Sequence, residues 1–132
     1  MNKEEVFVSE RYFTIFDFYI SHGQFLLRSS KDSNYSENID IIFYDTRYIQ
    51  MATFLHGVSI SKISNPGSVI HESVINLLKN VDCYLFEISS NKESYFIVST
   101  FVRVYENNLE FTETSLGVIE NKGRVREIAK SK

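Results

Sequence analysis

Tryptophan is absent from this chain, proline and cysteine each occur once, and the five glycines are scattered. Each shortage removes a class of protein. One cysteine, Cys83, cannot close an internal bridge, so no disulfide framework holds the fold, and a reducing, cytoplasmic setting is the expectation. The thiol itself reads as a small buried hydrophobe at the start of a strand. Glycines at 23, 57, 67, 117 and 123 never cluster, which rules out both the phosphate-binding loop and the dinucleotide fingerprint. The three histidines, His22, His56 and His71, lack the spacing of a helical metal site, and a single thiol cannot build a thiolate centre. No cofactor or metal is expected, and no G-x-S-x-G elbow is present. Long apolar runs are missing too. No window approaches the ~20 apolar residues that cross a bilayer, and the charged start Met1-Asn-Lys-Glu-Glu leads into no secretory core. A soluble protein without membrane contact is expected.

What the chain does have is 11 Phe and 8 Tyr, within an apolar share of 43% and a charged share of 23%. That bias favours sheet. A length of 132 residues suits one domain able to bury roughly two thirds of its unfolded surface. The net charge of −3 is unevenly spread, because Lys122, Arg124, Arg126, Lys130 and Lys132 crowd the last thirteen positions against Glu120 and Glu127. We expect a β-rich domain over 1–119 and a flexible basic tail over 120–132.

The clearest local signal is a β-hairpin from Tyr12 to Ser29. Two alternating apolar runs meet at His22-Gly23, where glycine accepts the positive φ of a two-residue turn. With Ser21 and Gln24 flanking that turn, Phe16, Phe18, Ile20, Phe25 and Leu27 fall on one face and Asp17 faces Arg28 on the other. Val6-Phe7-Val8 suggests a short edge strand or a docking segment before it. Ser29 to Asn38 reads as a surface loop. From Asn38 to Asp45, Ile39, Ile41 and Phe43 alternate with Asp40, Ile42 and Tyr44, as expected for one core face and one half-wet face. A turn at Asp45-Thr46-Arg47 leads into a strand at Tyr48–Met51, and another strand spans Gly57–Ile63.

Asn65-Pro66-Gly67 is a strong breaker, and Ser68 behind it is a suitable helix cap. Ile70, Val74, Leu77, Leu78 and Val81 then recur with helical period, ending at Asn80. Cys83–Ser89 returns to strand, followed by a polar turn at Ser90-Asn91-Lys92-Glu93. One long strand is expected from Tyr95 to Tyr105, with Phe96, Val98, Thr100, Val102 and Val104 on a single face. A turn at Asn107-Asn108 would then set Val104 opposite Phe111, Tyr105 opposite Glu110 and Arg103 opposite Thr112. Leu116–Ile119 completes the set as a short strand.

Short turns between successive strands favour an antiparallel meander. The expected class is α+β, mostly β: a curved antiparallel sheet or flattened barrel of about 7–9 strands, with one covering helix near 68–80. Function is bounded mainly by exclusion. Tyrosines mixed with acids do not suit nucleic acid, whose phosphates need a basic groove, but they suit a protein surface. The expectation is a small intracellular binding module without catalysis, engaging a protein partner or a second copy through Tyr19, Asp40, Tyr44, Asp45 and Tyr48. Two alternatives stand beside it. One is a barrel-like carrier of an apolar or aromatic ligand; the other is an enzyme running on paired carboxylates drawn from Asp40, Asp45, Glu87, Glu110 and Glu113.

Overall fold

The computed structural model describes residues 2–66, 70–79, 82–118 and 122–132. Among these, nine strands form one antiparallel sheet: β1 (Asn2–Tyr19), β2 (Gln24–Ser29), β3 (Asn38–Tyr44), β4 (Tyr48–Gln50), β5 (Phe54–Ser64), β6 (Tyr84–Ser90), β7 (Glu93–Ser99), β8 (Phe101–Asn107) and β9 (Arg126–Lys130). A single short helix, α1 (Glu72–Leu77), lies between β5 and β6. The strand order is β4-β7-β6-β5-β1-β2-β3-β8-β9. Its far ends are nevertheless tied by the chain, since β3 runs on into β4 and β7 into β8. Tyr44 pairs with Phe101 before this shared bend and Tyr48 with Val98 after it. Across the bend, Arg47 N–H donates to Val98 O at 2.8 Å and Thr100 N–H to Tyr44 O at 3.0 Å. The sheet thereby rolls into a barrel-like wall.

Inside the wall, Phe13, Phe25, Leu27, Ile41, Phe43, Ile60, Phe86, Ile88, Val102 and Val104 form the main apolar cluster. Two smaller clusters lie outside it. Ile63, Leu85 and Val98 are covered by Ile70, Val74 and Leu77 of the α1 region, while Leu26, Ile42 and Tyr105 are covered by Leu116 and flanked by Phe16, Tyr19 and Tyr44. Both faces of β2 and β3 are therefore dry, which corrects the expected half-wet outer face of β3. The inward set Ile39, Ile41 and Phe43 stands as the alternation predicts.

The first hairpin forms, with a different turn. Ile20–His22 make a 3₁₀ turn closed by Gly23 at φ 56°, so Tyr19 pairs with Gln24 and Phe18 with Phe25. A bulge between Ile15 and Asp17 then shifts the register. Thr14, not Asp17, faces Arg28, and Phe16 turns outward while Ile15 packs on the core. A bulge inserts one residue and so reverses the side of everything beyond it. Gly23 is held close to the β3–β4 bend: Thr46 N–H donates to its carbonyl at 2.9 Å, and a Cβ there would sit 2.8 Å from Thr46 N. Gly23→Ala is expected to cost on the order of 2 kcal/mol, from left-handed strain plus a backbone clash, read as a lowered midpoint in urea unfolding.

Four other expectations are corrected, and the covering helix is shorter than its expected span. The Val6–Val8 patch belongs to the long strand β1, which lies between β5 and β2 in the interior of the sheet order rather than at an edge. The helix is only six residues long and is capped by His71, whose Nδ1 accepts from Ser73 N–H; Ser68, Asn80 and Val81 lie outside the described residues. Its β-branched content disfavours a longer run. The strand expected over Tyr95–Tyr105 breaks at Thr100, so Phe96 and Val98 face α1 whereas Val102 and Val104 face the core. The hairpin across Asn107-Asn108 does not form. Residues 108–118 contain no strand, Phe111 is exposed, and β8 pairs instead with β3 and β9. The basic tail contributes that last partner: Ala129 packs on the core, and Arg126 meets Glu37 at 3.0 Å and Glu106 at 3.1 Å. Residues 126–130 are thus a strand rather than a loose terminus.

Candidate functional site

Arg28 and Asp40 face each other across β2 and β3 on the outer side of the wall, with exposures of 1% and 0%. Their bond is two-pronged. Arg28 Nε donates to Asp40 Oδ1 at 2.7 Å and Nη2 to Oδ2 at 2.9 Å. The Oδ2 atom also accepts from Ser115 Oγ at 2.7 Å and Asn107 Nδ2 at 2.9 Å, while Arg28 Nη1 donates to Glu113 O at 2.7 Å. The Phe16 ring lies 4.0 Å from the guanidinium carbon. Asn107 additionally donates to Gly123 O, and Gln24 Oε1 accepts from Gly117 N–H. The bonds to Glu113, Ser115, Gly117 and Gly123 tie the strandless segment after β8 to the sheet. The cluster is a clamp with its polar atoms satisfied, as burial of charge requires.

The clamped segment roofs a cleft of about 750 Å³ against the outer face of β2, β3, β8 and β9. Its aromatic wall is Tyr44 stacked on Phe101, with centroids 4.6 Å apart and planes 19° from parallel. Beside them the Tyr44 and Tyr105 hydroxyls meet at 2.9 Å. Burial, reinforced by the bond to Tyr44, pushes the Tyr105 phenol well above its ordinary pKa, so Tyr105 stays neutral and hydrogen-bonding. Around the mouth lie His22, Asp45, Arg103, Arg124, Glu127 and the exposed apolar side chains of Val118 and Val125. Asp45 is engaged by Arg47 at 3.2 Å and by Thr100 Oγ1 at 3.1 Å, and Glu127 lies 3.6 Å from Arg103. Arg124 donates Nη2 to Gly117 O at 2.6 Å, and its buried Nε has no partner among the described residues.

The expected surface residues separate in space. Tyr44 and Asp45 line the cleft, and Tyr19 lies nearby on the outer cluster, stacked parallel to His22 at 6.0 Å. Tyr48 is elsewhere, in a small hollow with Ile70, His71 and Val74 at α1. Asp40 has no exposed surface, so its place among contact residues is corrected: it is the acceptor of the clamp. Sequence reasoning missed Arg103 and Tyr105, which β8 brings to the cleft by pairing with β3, and Arg124, which reaches it because the segment after β8 folds back. The carboxylates considered for acid/base work do not gather in the cleft. Asp40 is committed to Arg28, Glu87 pairs with Lys3, and Glu113 accepts from Glu110 N–H through Oε1 and faces Lys122. Among the described residues no group of three or more His, Cys, Asp or Glu is placed to hold a metal, and no helix is long and apolar enough to cross a membrane. No family model, curated protein or solved structure matches the chain.

Proposed function

We propose that this protein is an intracellular, non-catalytic binding module that takes an aromatic anchor side chain of a protein partner into the cleft beside Tyr44, Phe101 and Tyr105. The observation behind this reading is the preformed hollow itself, aromatic on its wall and rimmed by Val118 and Val125, both more than two thirds exposed. Binding energy at protein interfaces concentrates where an aromatic anchor fills such a pocket inside a ring of apolar and charged neighbours. Asp45 and Glu127 at the mouth are held by cations, so their role is to orient those cations. The interior of the wall is filled by Phe13, Phe25, Phe43 and Phe86, which speaks against a carrier function there. Buried, unpaired Cys83 suits a reducing compartment.

A second surface has its own supporting observation: Tyr12, Phe54 and His56 form an exposed aromatic trio on β1 and β5, with ring centroids 4.9 to 6.3 Å apart. Affinity capture from cell extract, run in parallel with wild type, Tyr44→Ala and Tyr12→Ser, separates the two. Loss of a stoichiometric partner with Tyr44→Ala alone is the expected result. Loss with Tyr12→Ser alone transfers the function to the trio, and equal recovery with all three proteins defeats the cleft reading.

A further inference from the structure

Arg124 differs from every other charged group around the cleft. Asp45 has Arg47, Arg103 has Glu127, yet Arg124 has no carboxylate among the described residues and holds only the carbonyl of Gly117. Its Nε is buried with no acceptor among the described residues. A buried donor without an acceptor is a standing cost, larger when the donor is charged. An arginine edge presents parallel donors whose spacing matches the two oxygens of a carboxylate, as Arg28 and Asp40 demonstrate in this same fold. A small swing of the Arg124 guanidinium toward the cleft would sacrifice nothing at Nε, because that atom has no bond to break. The Tyr44 and Tyr105 hydroxyls carry two protons between them and use one in their mutual bond, so a second donor stands close to the aromatic wall.

Building on the cleft as a recognition site, we propose that its guest is an aromatic ring carrying a carboxylate, the ring lying against Tyr44 and Phe101 and the carboxylate meeting Arg124. Such chemistry has two sources, the free C-terminus of a chain ending in an aromatic residue and a small aromatic acid. Four probes distinguish them: N-acetyl-glycyl-phenylalanine, 3-phenylpropionate, and the neutral amide of each, titrated into the ¹⁵N-labelled protein while the backbone amides of Tyr44, Phe101, Tyr105 and Gly117 are followed.

The peptide acid is expected to bind about tenfold or more tightly than its amide, and Arg124→Gln to erase that difference while leaving the amide's affinity unchanged within about twofold. Binding by 3-phenylpropionate as tight as by the peptide acid supports the free-acid source, and binding by the peptide acid alone supports the chain end. Equal binding of acids and amides overturns the carboxylate assignment and leaves the cleft reading in place. Silence from all four probes, with partner capture still sensitive to Tyr44→Ala, likewise overturns this inference only. If capture is insensitive as well, the underlying reading falls with it. The comparison of acid with amide uses the wild-type protein, so it stands even where Arg124→Gln does not fold.

Discussion

Asp40→Ala should lower the folding stability by about 3–5 kcal/mol, among the largest effects available to a single substitution in this chain. Removing the carboxylate leaves the guanidinium of Arg28, which is 1% exposed, with only the carbonyl of Glu113, and takes an acceptor from Ser115 and Asn107. Deleting both charges together is a different experiment. In Arg28→Met with Asp40→Leu, no guanidinium is left buried, and a substantial part of the loss is expected to return. Full recovery is not expected, since Ser115 Oγ still loses its partner and Glu113 O its donor. Urea unfolding of the single and double variants measures this directly. A single variant within about 1 kcal/mol of wild type would show that the clamp is loose in solution. Because the clamp carries the roof of the cleft, the double variant should also blunt probe binding even where its stability is restored.

Phe43→Ala is expected to cost a similar amount, about 3–5 kcal/mol, for a different reason. Phe43 is fully buried between Phe25 and Phe86, with ring centroids at 6.2 and 5.8 Å, so truncation leaves a hole that the surrounding wall cannot close. Phe111→Ala is the matched control. That ring is 73% exposed with one edge contact to Phe16, and its loss should change stability by less than about 1 kcal/mol. Comparable losses at the two sites would place the core somewhere other than inside the rolled sheet.

The contrast between these two phenylalanines also marks how far the sequence could be read. Alternation identified β3 and its inward face, because Ile39, Ile41 and Phe43 follow the period of a pleated strand. The polar turn at Ser90–Glu93 was equally legible: Asn91 and Lys92 both take positive φ and bring Ser90 opposite Glu93. Local rules pair neighbours, and there they fail wherever the register depends on a bulge or on a distant strand. The hairpin pattern sets Arg28 against Asp17 because a hairpin is the only pairing that a short stretch of sequence can express; its true partner lies on the third strand. One signal was present. An acid inside the run Ile39-Asp40-Ile41-Ile42 has apolar neighbours on both sides, which is where a charge needs a buried counter-ion. The cleft was half legible. Tyr44 and Asp45 sit on a recognisable strand and turn, whereas Arg124 precedes β9 in a stretch with no periodicity, drawn in by bonds from Asn107 and Gln24.

The pairing of β1 bears on how the chain is born. Its C-terminal half finds β2 within a few residues, but its N-terminal half is matched to the far end of β5, Asn2 with Ser64. On the ribosome, that leading edge must stay open until some sixty further residues have emerged. An open strand edge invites pairing with a neighbouring nascent chain. The charges that β1 carries there, Lys3, Glu4, Glu5, Glu10 and Arg11, are of the kind that disfavour such mispairing while the ribbon is unmatched.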